Sequence, residues 1–121
     1  MNKTVLTVDD SRTMRAMLML ALSDAGFRVV QAEDGLHGLE VLQNAVPDVI
    51  ITDINMPRMD GFGFIEGVRG NDRHRAIPIL VLTTESDATK KDKARRAGAT
   101  GWIVKPFDPV KLVEAIRRVA A

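Results

Sequence analysis

Residues 48–61 read DVIITDINMPRMDG. Val49, Ile50 and Ile51 form an apolar run without alternation, the pattern of a strand buried on both faces. Asp53 stands just beyond the end of that run, and Pro57 and Gly61 bound the loop that follows. A strand covered on both sides belongs to a parallel sheet packed between helices. Residues 78–82 (PILVL) form a second run of this kind.

Working outward, residues 4–8 (TVLTV) predict a first strand, and Ser11 is placed to cap a helix running to about residue 25. Met14, Met17, Leu18, Ala21, Leu22 and Ala25 recur at helical spacing and are expected to face inward. Gly26 sits where that helix must end in a left-handed turn. Residues 27–32 (FRVVQA) predict the second strand. Asp34 caps a second helix that carries Leu36, Leu39 and Leu42 and stops before Pro47; residues 48–52 form the third strand. A third helix follows Gly61, with Phe62, Ile65 and Val68 inward. The fourth, over residues 87–97, has an apolar side made mostly of alanine; Gly98 ends it, and Arg95 and Arg96 suit the negative end of its dipole. Residues 100–104 (TGWIV) are the fifth strand. Asp108 and Pro109 then open a last helix with Leu112, Val113, Ile116 and Val119 inward.

The order is therefore (βα)5 with short connections. Strands joined through helices run parallel with right-handed crossovers, which gives a doubly wound α/β sandwich. Residues 1–121 read as one domain. Apolar residues make up 45% and charged residues 27%, a balance that excludes a disordered chain. No run of about 18 apolar residues is present, so no membrane span is expected. The start, MNKTVLTVDDSR, lacks a secretory pattern, and there is no cysteine for disulfides, thiolate metal sites or thiol chemistry. A cytoplasmic protein is expected. Residues 1–60 carry nine acids against five bases (−4), and residues 61–121 carry seven against twelve (+5). The bases gather at Lys90, Lys91, Lys93, Arg95, Arg96, Lys111, Arg117 and Arg118. With four Phe and one Trp for stacking, that surface reads as a solvated helical face, not a nucleic-acid site.

In such folds chemistry collects at the carboxyl ends of the strands. Asp9 and Asp10 follow strand one, and Asp53 follows strand three. Thr83, Thr84 and Glu85 follow strand four, and Lys105 and Pro106 follow strand five. With strands ordered 2-1-3-4-5, strands one and three are neighbours and the three acids converge. Three packed carboxylates repel one another unless compensated. A hard divalent ion such as Mg²⁺, held by carboxylates, water and phosphate oxygens, supplies that compensation. Lys105 adds a fixed positive charge and Thr83 a hydroxyl. The set suits phosphoryl transfer to Asp53, where catalysis is mostly placement and electrostatics. Taken singly each residue has an ordinary reading: Asp53 as a turn residue, Asp9–Asp10 as a helix opening, Thr83 as a cap of the fourth helix, Lys105–Pro106 as a turn. All of them on one edge of one sheet is a pattern chance seldom makes.

The segments VDDSR, DINMPRMDG, LTTES and GWIVKPF, in this order and spacing, resemble response regulator receiver domains over essentially the whole chain. The sheet order 2-1-3-4-5 is that of CheY, a member of this family, and is not independent of the resemblance. The resemblance implies that Asp53 accepts a phosphoryl group from a sensor histidine kinase. It implies Mg²⁺ bound by Asp10, Asp53 and the Asn55 backbone carbonyl, with Asp9 acting through water. Thr83 and Lys105 would contact the phosphoryl group, and the N–H groups of Asn55 and Thr84 would complete its cradle. Asn55 and Glu85 would flank the attacking water, and the Lys105–Pro106 bond would be cis. Thr83 and Trp102 would form the switch, altering a face made of helix four, strand five and helix five, where a target protein docks. Two positions depart from the family pattern. Trp102 is larger than the usual Tyr or Phe, and β-branched Thr84 narrows access to Asp53.

Length and the NMP, TTES and KPF segments are most similar to chemotaxis CheY proteins. That implies a CheA-like kinase, a flagellar motor switch protein as target, a phosphatase as a further partner, and a monomer that touches neither nucleic acid nor membrane. A phosphate sink or phosphorelay intermediate without motor binding is the alternative. Under either reading the resemblance implies a signalling switch, not an enzyme, that catalyses only its own phosphorylation and dephosphorylation. Other classes fit less well. A flavodoxin-like carrier needs a phosphate loop where Asp9 and Asp10 stand. A haloacid dehalogenase-type phosphatase wants an acid where Asn55 stands, and no spare helix is left to read DNA.

Overall fold

The computed structural model describes residues 2–120, along which strands and helices alternate. In chain order they are β1 (Thr4–Val8), α1 (Arg12–Asp24), β2 (Arg28–Ala32), α2 (Gly35–Leu42), β3 (Val49–Thr52), α3 (Gly61–Arg69), β4 (Ile79–Thr83), α4 (Ala88–Ala97), β5 (Gly101–Val104) and α5 (Pro109–Val119). All strand pairs are parallel, and the sheet order is β2-β1-β3-β4-β5. The doubly wound α/β architecture expected from the alternation is the one observed.

Alternation along each strand sorts the core into two layers. Leu6, Val8, Ile50, Ile79 and Val81 face α2, α3 and α4, packing with Leu42, Phe64, Ile65, Val68 and Ala94. Val5, Val49, Ile51, Leu80 and Leu82 face α1 and α5, against Leu18, Leu22, Leu112 and Ile116. Every residue of β3 and β4 is buried, as their unbroken apolar runs require.

The helix starts follow capping chemistry. Ser11, Asp34, Asp60, Asp87 and Asp108 each accept a backbone N–H of the first turn. Asp87, not Thr83, caps α4. Gly26 (φ 92°) and Gly98 (φ 119°) adopt the left-handed conformation that their places after α1 and α4 demand. The weak apolar side of α4 is offset from outside the helix. Arg69 of α3 donates to the Gly98 carbonyl at 2.8 and 3.0 Å and to the carbonyls of Arg75 and Ile77 at 2.9 and 2.7 Å. Lys93 lies 4.3 Å from the centre of the Phe62 ring.

Several expectations need correction. Met17 is 47% exposed and Leu36 38% exposed. In α1 the fully buried stripe is Leu18 and Leu22, with Met14 packed against the same core, and Met17 lies to its side. In α2 the buried stripe runs through Gly35, Gly38 and Leu42. A Cβ on Gly38 would stand 2.6 Å from the Phe64 ring, so glycine lets Phe64 fill the place a leucine was expected to take. Phe64 itself is fully buried although the i, i+3, i+4 reading of α3 passed over it. β2, β3 and β5 begin one residue later than expected, and β4 is shifted one residue onward to include Thr83. The excluded residues still bond at the strand starts: the Pro78 carbonyl accepts the Ile50 N–H at 2.9 Å, and Thr100 Oγ1 accepts the Ile79 N–H at 3.0 Å.

Candidate functional site

Register decides which side chains meet. Val8 stands beside Thr52, so Asp9 and Asp53, one residue beyond each, leave the sheet at the same edge. Thr83 ends β4 beside Val104, and Lys105 follows. The Asp9 N–H donates to the Ala32 carbonyl at 3.1 Å and the Asp53 N–H to the Val8 carbonyl at 2.9 Å, extending the ladder into the site.

Carboxylate oxygens of Asp9, Asp10 and Asp53 all lie within 4.8 Å of one another. Lys105 Nζ donates to Asp9 Oδ2 at 2.8 Å and to Asp53 Oδ2 at 3.0 Å. The other Asp53 oxygen accepts the Ile54 N–H at 2.7 Å, and the other Asp9 oxygen accepts the Ser11 N–H at 2.9 Å. Arg15 donates to the Asp9 carbonyl at 2.7 Å and fixes the turn from below. Asp9 is almost wholly buried, Asp53 is 8% exposed at the pocket floor, and Asp10 is exposed at the rim. Burial raises the Asp9 carboxyl above its ordinary range and the nearby Asp53 adds to that, while Lys105 and the Ser11 N–H pull it down. Burial lowers the Lys105 ammonium, but its bonds to Asp9 and Asp53 outweigh that and hold it above its ordinary value.

The acidic set fits a divalent ion. Octahedral ligands at about 2.0–2.1 Å put their oxygens about 3–4 Å apart, a spacing these three carboxylates can reach. Asp10 and Asp53 offer side-chain oxygens and the Asn55 carbonyl follows in the same loop, so the donors are hard and carry excess negative charge, as Mg²⁺ prefers.

Around this pocket the remaining candidates divide. Thr83 is fully buried and its hydroxyl accepts the Glu85 N–H at 3.3 Å. Asn55 and Thr84 are exposed, and Asn55 Nδ2 donates to Glu85 Oε1 at 3.3 Å. Trp102 is half-buried on the α4 side of the sheet, with its indole N–H donating to the Glu85 carbonyl at 3.2 Å. The Lys105–Pro106 bond is cis, as the resemblance implied. Three contacts were not read from the sequence, those of Arg58, Lys90 and Asp60. Arg58, at φ 64°, reaches Asp34 at 2.8 and 3.0 Å and ties the loop after β3 to the start of α2; that bond holds the Asp34 carboxyl below its ordinary value. Lys90 reaches Glu85 at 3.0 Å. No local spacing announces either pair. Asp60, by contrast, was legible as an N-cap before Gly61.

Gly61 has a steric reason to be glycine. Its N–H donates to the Ile54 carbonyl at 2.8 Å, and a Cβ there would collide with the Asp53 carbonyl oxygen and come within 2.8 Å of Ile54 Cα. Gly61→Ala is expected to cost about 2–3 kcal/mol, because the clash is with backbone that cannot step aside. Urea unfolding checks this, and an unchanged midpoint would contradict the packing described.

Carboxylates and a lysine meeting at the carboxyl edge of a 2-1-3-4-5 parallel sheet define a class of α/β protein organised around an aspartate pocket. The chain belongs to the response regulator receiver domain family, which matches residues 5–117. It is 42% identical over 117 residues to the chemotaxis protein CheY1 of Helicobacter pylori strain J99, covering 95% of this chain and 94% of that one. Its fold matches the chemotaxis response regulator CheY4 of Vibrio cholerae with a TM-score of 0.92 at 46% identity, covering 98% of this chain and 99% of that one. A sensor histidine kinase, CheAY of H. pylori, is 35% identical over 116 residues, which are 94% of this chain and 14% of the kinase. Among the described residues no helix is long and apolar enough to cross a membrane.

Proposed function

We propose that this chain is a cytoplasmic phosphorylation switch of chemotaxis, charged by a CheA-like histidine kinase and read by the flagellar motor switch. The observation that carries the reading is Lys105 bridging Asp9 and Asp53 within the three-acid cluster. An Asp53 oxygen attacks phosphorus as the bond from phosphorus to the donor imidazole breaks, and that electron pair leaves with the imidazole. Asp10, Asp53 and the Asn55 carbonyl would hold Mg²⁺, which would supply positive charge to the phosphoryl oxygens. Lys105 is placed to pass from the Asp53 carboxylate to a phosphoryl oxygen, and Thr83 to donate its hydroxyl to another. Asn55, Thr84 and Glu85 line the approach and tune hydrolysis.

The signal leaves through Trp102. Its indole is bonded to Glu85 in the loop that follows Thr83, and the Glu85 N–H is held by the Thr83 hydroxyl, so a shift of Thr83 toward the phosphoryl group is felt at β5. Beside it lies a groove of about 320 Å³ whose lining includes Ala88, Lys91, Ala94, Trp102 and the Asp92–Arg95 pair, on the basic half of the chain. That groove supports a protein target with acidic and apolar groups. The protein is a switch and not an enzyme acting on other substrates. The test is binding of a peptide from the motor switch protein with and without acetyl phosphate and Mg²⁺. Binding at least tenfold tighter when phosphorylated is expected. Equal affinity in both states, with phosphoryl returned to the kinase, would favour a phosphate sink instead.

A further inference from the structure

Glu85 joins the candidate site to α4. Its carboxylate oxygen Oε1 accepts from Asn55 Nδ2 at 3.3 Å and from Lys90 Nζ at 3.0 Å. Its backbone N–H is held by Thr83 Oγ1 and its carbonyl by the Trp102 indole. Asn55 follows Asp53 by two residues and Glu85 follows Thr83 by two. Their contact therefore spans the loops after the neighbouring strands β3 and β4, on the edge where Asp53 opens to solvent.

Lys90 is out of place by helix chemistry. It lies in the first turn of α4, where the positive end of the macrodipole disfavours a cation. Its bond to Glu85 offsets that. The Glu85 carboxyl is held below its ordinary range first by Lys90 and then by Asn55. With side chains 40% and 28% exposed, the ion pair contributes little to stability, so its consequence is where it holds Glu85.

We propose that Lys90 is a positioning residue for hydrolysis at Asp53: it clasps Glu85 against Asn55 across the pocket mouth and so limits the approach of water to the acyl phosphate. The inference rests on Asp53 as phosphoacceptor. In hydrolysis the water oxygen bonds to phosphorus and the phosphorus–oxygen bond to Asp53 breaks. The electron pair returns to the carboxylate, and the water's protons leave with the released phosphate. Without the lysine charge Glu85 keeps only the longer of its two carboxylate contacts and turns toward solvent, which opens the water path.

The test follows decay of the Asp53 phosphoryl group after charging with acetyl phosphate and Mg²⁺ and removal of the donor. Lys90→Met keeps the stem and removes the charge, and its phosphoryl group is expected to decay roughly threefold to tenfold faster, with the melting temperature unchanged. Lys90→Arg is expected to restore the wild-type rate. In a Glu85→Ala background Lys90→Met is expected to change nothing further, because the two act as one unit. Decay at the wild-type rate or slower in Lys90→Met, or the same acceleration with and without Glu85, would overturn the clasp. A wild-type protein that takes no phosphoryl group on Asp53 would overturn the phosphoacceptor reading itself, and shows before any variant is compared.

Discussion

Lys105→Met is expected to lose about 3–5 kcal/mol of folding stability at neutral pH, the cost of removing one partner from a buried ion pair. Lys105 is 10% exposed and its partner Asp9 3% exposed, so water does not replace the lost charge. Asp9 and Asp53 would then face each other uncompensated. The pH dependence has a definite sign. The Asp9 carboxyl already lies above its ordinary value of 3.8, and losing Lys105 raises it further. A carboxyl raised by folding favours the fold while it is neutral, and that contribution is lost as pH rises through its folded-state pKa. The deficit against wild type is therefore smallest at about pH 3–4 and full at about pH 7. Mg²⁺ is expected to recover part of it, since a cation replaces the missing charge. Urea unfolding at the two pH values, with and without Mg²⁺, checks this. A variant as stable as wild type at neutral pH would mean that Lys105 does not neutralise the pocket.

Asp53→Ala is expected to abolish phosphoryl uptake from acetyl phosphate or kinase while the protein stays folded. Lys105 keeps its 2.8 Å bond to Asp9, and the ladder contact from the residue 53 N–H to the Val8 carbonyl does not need the side chain. The chain has one tryptophan, so intrinsic fluorescence reports Trp102 alone. Acetyl phosphate with Mg²⁺ is expected to change that fluorescence in wild type and leave it unchanged in Asp53→Ala. An equal response in both would place the phosphoryl group elsewhere.

The fold was legible because its signals are local. Unbroken apolar runs at β3 and β4 forced a doubly covered sheet, and the caps Ser11, Asp34 and Asp108 marked helix starts. That Asp9, Asp53, Thr83 and Lys105 come to one edge was legible because each directly ends or follows a strand of a parallel sheet. What escaped was set by partners distant in sequence. Leu36 was expected inward, but Gly38 gives way to Phe64 and turns α2 to a different stripe. The links of Arg58 to Asp34 and of Arg69 to the end of α4 join residues 24 and 29 apart, which no periodicity encodes. Lys90 looked like one base among several on a solvated face until its contact with Glu85 set it apart from Arg95 and Arg96, which pair with Asp92 within their own helix.

The most direct measurement is to treat the folded protein with acetyl phosphate, with and without Mg²⁺, and locate any added group by mass and by proteolytic mapping. One phosphoryl group, dependent on Mg²⁺ and carried by the peptide that holds Asp53, is the predicted result. A group on another residue, or none on a protein that is folded, would contradict the assignment of this pocket.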